Sequence, residues 1–503
     1  MDVTIGESLD LGGLVAVADG RARATLGARG REALVRARAA VSALLHHDAP
    51  ATYGINTGFG ALAEVRVADG ALAELQDNLI RSHAVGVGPP LSDRAVRAMM
   101  LVRAQVLARG YSGCRPEVVE LLVGCLERGV TPIIPSLGSV GACGDLAPLA
   151  HLALVLIGEG HAKVAGERLS GRDALARVGL SPLRLEAKEG LALINGTAAM
   201  LGVGGLALDL ARTLVRTADV TGAMSLEALK GSVVPFDARI VEARPHPGAL
   251  AAAAHLRALL ADSAIVASHA DCNEVQDAYS LRCMPQVHGS ARDLLAFAER
   301  VIEVELDSAT DNPLVLSDGS IRSGGNFHGQ PVAAAFDVAM MGLVDVASIA
   351  ERRLAYLVDH HRSRGLPPFL ARQSGLHSGF MMAQVTAASL VAEARAMATP
   401  RSMDSIPTSA EREDHVSMGM GSARALAEVA RLAAWVLAIE AVVAAQGVAM
   451  RGLAPGRGVG RALAIVRERV PPLDGDRALA PDFEAALELV ESGRLVVDPS
   501  AAM

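Results

Sequence analysis

The chain is 503 residues long and carries 47 basic against 55 acidic residues, a formal net charge of -8; this argues against nucleic acid as a partner, because neutralising phosphates takes a basic surface. Hydrophobic residues make up 51% of the chain but aromatic residues only 3%, so the apolar volume comes from Ala, Leu, Val and Met, a set dominated by helix formers. With a mean hydropathy of +0.32, some of that apolar helical surface is expected to be covered by other subunits.

In chain order, "MDVTIGESLDL" alternates weakly and predicts a short strand. The N-terminus lacks a basic stretch followed by an apolar core, so no secretory signal is expected and the location reads as cytoplasmic. A helical signal follows in "GREALVRARAAVSALLHH". "YGINTGFGALAEV", residues 53–65, is too rich in Gly and Asn for a helix and suits a functional loop. Helical periodicity resumes in "ALAELQDNLIRSHAV" and in "SDRAVRAMMLVRAQVLARG", where Ser92 caps the start and Gly110 the end. Asp145 reads as the N-cap of "LAPLAHLALVLIG", with Pro148 tolerated in its first turn. The stretch 190–208, "GLALINGTAAMLGVGGLAL", is uncharged over 19 positions. Asn195 and several glycines make it a buried core helix rather than a membrane span, and no membrane partner is expected.

In "VQDAYSLRC", Gln276, Tyr279 and Arg282 stand at i, i+3 and i+6, one broad face of a helix, and Pro285 marks an element boundary. Long helical patterns at about 197–229, 330–361, 378–397 and 415–450 predict an elongated bundle. From Pro455 onward, turns alternate with two short helices; "GRGVG" at 456–460 follows no strand and does not read as a dinucleotide fingerprint. The expected division is a mixed N-terminal region, 1–115, a central helical bundle, 116–450, and a C-terminal helical cap, 451–503.

Cysteines 114, 125, 143, 272 and 283 show no zinc-ligand spacing and read as thiols of a reducing compartment. The only lysines are Lys163, Lys188 and Lys230, which leaves few candidates for a Schiff base, and pyridoxal chemistry is not expected. Asp359-His360-His361 lacks a third ligand, so no metal is expected there.

Ala142-Cys143-Gly144 immediately precedes a helix N-terminus, whose partial positive charge would lower the pKa of a thiol and favour a nucleophile. A second chemistry is open to the same residues. Gly144, without a Cβ, lets its amide nitrogen approach the Ala142 carbonyl, and elimination across Cα–Cβ of residue 143 gives an electrophilic alkene. Serine would lose water in that step; cysteine would lose hydrogen sulfide.

The segment resembles the signature of the histidine/aromatic amino-acid ammonia-lyase family, whose Ala-Ser-Gly cyclises into a methylidene-imidazolone, with Cys143 in place of serine. "YGINTGFG", "NLIRSHAVGVG", "LALINGTAAM", "ALKGS", "ARPHPGAL", "VQDAYSLRC", "TDNPLV", "GGNFHGQP", "SGFMMAQVTAA" and "DSIPTSAEREDHVSMG" follow in family order from residue 53 to about 420. "SHA" and "EDHVSMG" are similar to its histidine branch. The resemblance implies a mainly α, aspartase/fumarase-like bundle assembled as a homotetramer with shared active sites. It also implies deamination of L-histidine to trans-urocanate and ammonia by a 4-methylidene-imidazol-5-one formed from Ala142, Cys143 and Gly144.

By the same resemblance Tyr53 is the acid/base near the β-carbon. It needs neighbours that depress its phenol pKa. Tyr279 stands close to the prosthetic group and Glu413 contacts the imidazole side of the substrate; Glu413 also suits the first turn of the following helix. His83 reads the imidazole, Asn195 donates near the imidazolone oxygen, Arg282 holds the carboxylate bidentately, and Gln276 and Phe327 line the pocket. Met382 reads as packing. Glu411-Arg412, Met284 and His288 depart from the commoner family residues, as does Cys143. A related aromatic amino-acid lyase or aminomutase, a variant with Cys143 left as a thiol, and a silent paralogue therefore stay open, the last opposed by the retained Tyr53, Asn195, Tyr279, Arg282 and Glu413.

Overall fold

Runs rich in Ala, Leu and Val form the long helices Ala198–Ala228, Met284–Leu306, Gln330–Val358 and Gly419–Met450, so the fold is mainly α. The computed structural model describes residues 2–46, 50–270 and 274–497; Cys272 lies outside the described residues. The pattern at 378–397 forms Met381–Met397, and the tail forms Arg457–Arg467 and Ala480–Glu491. Pro285 does mark a boundary, but as the second residue of the 23-residue helix Met284–Leu306, a first-turn position where a missing N–H does no harm. Three helices, Ala198–Ala228, Gln330–Val358 and Gly419–Met450, are long and apolar enough to cross a membrane. Between 67% and 89% of their most apolar stretches is buried within the protein, as in a helical core.

The chain forms two compact units. The first comprises Met1–Ala207, Ala298–Asp337 and Pro400–Arg424; the second comprises Leu208–Phe297, Val338–Thr399 and Ala425–Met503.

All the described strands lie in the first unit. Asp2–Ile5 pairs in parallel with Arg23–Leu26, Val87–Pro90 pairs antiparallel with Pro135–Leu137, and Val130–Pro132, His161–Val164 and Glu167–Ser170 make an antiparallel sheet. Ser92 caps Asp93–Ala108 through Ala95 N, and Gly110 follows with φ +77°. The loop after Tyr53 is anchored by Ile55, which is fully buried with Ala37, Val41 and Val315. Asn56 pins it further: its Oδ1 accepts from Thr52 N at 2.7 Å and its Nδ2 donates to Pro50 O at 3.1 Å.

The apolar stretch 190–208 is two helices rather than one. Glu189–Ile194 ends at Asn195, and Ala198–Ala228 begins after Gly196, whose φ of +130° no helix accommodates.

Lys188 is fully buried with its Nζ 2.8 Å from Asp311 Oδ2. Removing one partner strands a buried charge, at about 3–5 kcal/mol. Lys188→Met should therefore lower the thermal midpoint markedly, and adding Asp311→Asn should recover most of the loss; an unchanged midpoint in the single variant would refute this account of the pair.

The regular secondary structure described in the second unit is all helical. Fully buried Asp219 meets His288 Nδ1 and His255 Nδ1, each at 2.8 Å, and Arg292. Burial opposes its charge, but these donors hold its carboxyl well below the usual range. Buried Arg353 bonds Glu440, which also accepts from Thr221 and Ser225 at 2.7 and 2.8 Å. Burial pushes His288 down, towards the neutral form. Thus two of the departing residues, Met284 and His288, are fully buried in this unit's interior. Met382 is 62% exposed and does not pack in this chain's core.

Candidate active site

The turn holding Ala142, Cys143 and Gly144 lies before the helix Leu146–Leu156. Gly144 has φ +72°, and a Cβ there would lie 2.1 Å from Gly196 O, so only glycine fits. The break between the two helices grips this turn. Asp145 N donates to Gly196 O at 2.8 Å, and the Cys143 carbonyl accepts from Gly196 N at 3.2 Å and from Asn195 Nδ2 at 3.1 Å. From the other side, Met418 N donates to Val140 O at 2.7 Å and Ser417 Oγ to Gly141 O at 3.0 Å.

Asp145 holds the N-cap position of Leu146–Leu156 but makes no side-chain cap there. Its carboxylate instead accepts from Met200 N at 2.8 Å, in the first turn of Ala198–Ala228, and from Ser139 Oγ at 2.9 Å. It thus satisfies a free amide of a different helix. Complete burial raises its pKa to about 6, against the lowering effect of these donors.

Cys143 is half-buried, and its Sγ donates to Glu413 Oε1 at 3.1 Å. Thr408 Oγ1 donates to the other carboxylate oxygen at 2.7 Å, and Thr408 and Glu413 exchange backbone hydrogen bonds at 3.0 and 3.3 Å. Glu413 therefore belongs to a tight hairpin, six residues before the helix Gly419–Met450, and not to that helix's first turn. The hairpin tip runs through left-handed Ser409, Ala410 and Glu411, and the departing pair Glu411-Arg412 is exposed there. Contrary to the expectation from the helix N-terminus, burial and the Glu413 carboxylate push the Cys143 thiol up, not down. Desolvation and a neighbouring anion both disfavour the thiolate.

Tyr53 is half-buried, its ring edge-on to Phe59 at 6.4 Å, with Gly60 N 3.5 Å from its hydroxyl. Burial raises its phenol pKa, and the Glu413 carboxylate adds to the effect, the opposite of the depression its acid/base role needs. His83 is the last residue of Leu72–His83. Its Nδ1 lies 2.9 Å from Leu79 O, so Nδ1 carries the proton and Nε2 is the acceptor in the neutral ring. Burial lowers its pKa, against the pull of Leu79 and Glu413. Phe327 is half-buried in the turn before Gln330–Val358.

Ala142, Cys143, Gly144, Tyr53, His83, Asn195, Phe327 and Glu413 are residues of the first unit; Gln276, Tyr279 and Arg282 belong to the second. The helix carrying the last two is only Tyr279–Arg282. Gln276 precedes it outside any helix, so the three do not share a helix face. They line a cavity of about 740 Å³ with Arg352, Tyr356 and Arg364. Tyr279 is 71% exposed, and the Arg282 guanidinium lies 4.7 Å from its ring centroid, within cation–π range. Arg282 Nε is buried without a hydrogen-bond partner among the described residues. Among the described residues, no three His, Cys, Asp or Glu side chains gather as metal ligands do.

Several residues were not singled out from the sequence. The Gly196 amide joins Asn195 on the Cys143 carbonyl; the Asn-Gly pair inside an apolar run is the signal that could have shown the break. Thr408, which orients Glu413, carries no local signal. Asp277 anchors the segment before Tyr279, accepting from Ser232 N at 2.6 Å and Arg364 Nη2 at 2.8 Å; its position directly beside Gln276 was the only hint.

A family model for aromatic amino acid lyases matches residues 9–468. The chain is 55% identical over 501 residues to the histidine ammonia-lyase of Sorangium cellulosum, covering 98% of each. It is 56% identical to that of Anaeromyxobacter sp. (strain K), covering 97% of this chain and 98% of the relative. Among solved structures, histidine ammonia-lyase from Trypanosoma cruzi superposes with a TM-score of 0.91 at 39% identity, covering 98% of this chain and 94% of that one. Tyrosine aminomutase from Streptomyces globisporus superposes at 0.92 and 37% identity, covering 98% of each chain.

Proposed function

The chain belongs to the aromatic amino acid lyase family, and from that premise we propose that it deaminates L-histidine to trans-urocanate and ammonia without oxidation. The observation that carries the reading is the pair of N–H donors on the Cys143 carbonyl, from Asn195 and Gly196, in a turn where only glycine fits at position 144. A 4-methylidene-imidazol-5-one made from Ala142, Cys143 and Gly144 fits these residues, because the Cys143 carbonyl would become its ring oxygen. The group supplies an electrophile that makes the ammonium of the substrate a better leaving group. Donors fixed on that oxygen before reaction stabilise the charge it draws in, without reorganisation.

The chain's own residues supply the rest. Arg282, which lines the cavity and whose buried Nε has no partner among the described residues, binds the substrate carboxylate as a planar fork. Neutral His83 offers Nε2 as acceptor to the imidazole N–H. Tyr53 works near the β-carbon. Because burial keeps its phenol protonated, its proton must first pass to a neighbour, and Glu413 is a carboxylate whose charge it feels. Tyr279 and Gln276 line the same cavity as Arg282, and Phe327 is assigned to the substrate pocket.

We assign these roles across a homotetramer with shared sites. Exposed apolar side chains in the second unit, such as Leu376, Met382 and Val385, offer surface for another copy to cover. Free thiols at Cys114, Cys125, Cys143 and Cys283 fit a cytoplasmic enzyme.

The test is ultraviolet detection of urocanate, with ammonia measured alongside, using L-histidine, L-tyrosine and L-phenylalanine as separate substrates. Equal amounts of urocanate and ammonia from histidine are expected. Turnover of tyrosine or phenylalanine with none of histidine would overturn the assignment.

A further inference from the structure

We propose that Glu413, oriented by Thr408, keeps Cys143 as a neutral thiol so that its sulfur can leave, which makes Glu413 a maturation residue of this chain. The inference rests on reading Ala142-Cys143-Gly144 as the precursor of the ring.

The chemistry sets the requirement. Ring closure joins Gly144 N to the Ala142 carbonyl carbon, and the carbonyl oxygen departs as water with the amide hydrogens of Cys143 and Gly144. In the second step the Cys143 Cα–H bond breaks and its electron pair forms the Cα=Cβ bond. The Cβ–Sγ pair leaves on sulfur, which takes up the released proton. From a thiol the leaving group is hydrosulfide, released as hydrogen sulfide. From a thiolate it would be the doubly charged sulfide, far too basic to depart. A serine at this position faces no such choice, since its hydroxyl does not ionise in water's range.

Burial disfavours the Cys143 thiolate, and two further influences compete for its proton. The N-terminus of Leu146–Leu156 follows the turn and favours a thiolate. Against it stands the Glu413 carboxylate, whose Oε1 accepts from Sγ at 3.1 Å while Thr408 Oγ1 holds Oε2 at 2.7 Å. The other titratable groups around the pair are Tyr53, which feels both Cys143 and Glu413, and His83, which feels Glu413. Asp145, two residues along, is turned onto Met200 N and Ser139. The raised thiol pKa agrees with this arrangement. The carbonyl of the same residue is held by Asn195, whose Oδ1 stays buried and unpartnered among the described residues, so the turn is fixed at both ends of residue 143.

The experiment compares full-length wild type, Glu413→Gln, Cys143→Ser and Cys143→Ser/Glu413→Gln, each made by cell-free synthesis at neutral and at alkaline pH. The readouts are intact mass and thiol alkylation. Wild type should lose one water and one hydrogen sulfide at both pH values. Glu413→Gln at alkaline pH should show a several-fold larger share of unmatured chain with alkylatable Cys143. Both serine chains should lose two waters to the same extent, which separates a thiol effect from a folding defect. Equal maturation of Glu413→Gln and wild type at alkaline pH would overturn the proposal, as would failure of the double variant to mature. An unmodified wild-type mass would instead remove the ring itself, and with it the reading on which the proposal stands.

Discussion

Cys143→Ala is expected to fold, to release no hydrogen sulfide because it carries no sulfur at that position, and to turn over histidine at least about a thousand-fold more slowly than wild type. Alanine has no leaving group on Cβ, so no alkene can form at residue 143 whatever the backbone does. The substitution is also the mildest available at that position. It deletes one half-buried sulfur and its bond to Glu413 Oε1, and it leaves intact the hydrogen bonds on the Cys143 carbonyl from Asn195 and Gly196. A wild-type thermal midpoint with lost turnover would therefore locate the effect in chemistry rather than in folding. Cys143→Ser is the control, since it restores a leaving group of nearly the same size. Turnover by Cys143→Ala within a few-fold of wild type would mean that the elimination runs without a prosthetic group.

What the sequence made legible was local. Ser92 at the head of Asp93–Ala108, Gly110 at its end and the irregular loop after Tyr53 each follow from residue types within a few positions, and the helical class follows from composition. What it did not make legible depends on distant partners. Asp145 looks like the cap of the helix that follows it, yet its carboxylate serves Met200, 55 residues away. Local propensity cannot tell which of two helix ends will lie closer in the folded chain.

The Cys143 thiol shows the same limit more sharply. The helix N-terminus beside it argues for a lowered pKa, but burial and the carboxylate of Glu413, 270 positions along the chain, raise it instead. The acid/base role of Tyr53 calls for neighbours that depress its phenol pKa, but burial above all, and then Cys143 and Glu413, act the other way. The family resemblance named most of these residues without fixing their electrostatics. The turn before Tyr279 illustrates a further gap: spacing suggested one helix face for Gln276, Tyr279 and Arg282, whereas Asp277, bound to Ser232 and Arg364, holds the segment out of helix until Tyr279.

Replacing Asn195 tests the electrostatic core of the proposed reaction most directly. Its Nδ2 is one of two donors on the Cys143 carbonyl, and the Gly196 amide is the other. Removal of one such donor lowers kcat by about 10²–10³, and Asn195→Ala should fall in that range with KM changed far less, because the interaction strengthens only as charge moves onto the oxygen. The buried, unpartnered Oδ1 of the same side chain allows a second role, as acceptor for the substrate amine, and Asn195→Asp distinguishes the two. Aspartate keeps an acceptor but has no N–H, and its charge would face the Cys143 carbonyl at hydrogen-bond distance. If donation to that carbonyl is what matters, Asn195→Asp is at least as slow as Asn195→Ala. An aspartate variant faster than the alanine variant by tenfold or more would transfer the role of Asn195 from the ring oxygen to the substrate. Intact masses of both variants, read alongside the rates, separate slower turnover by matured chains from a smaller matured fraction.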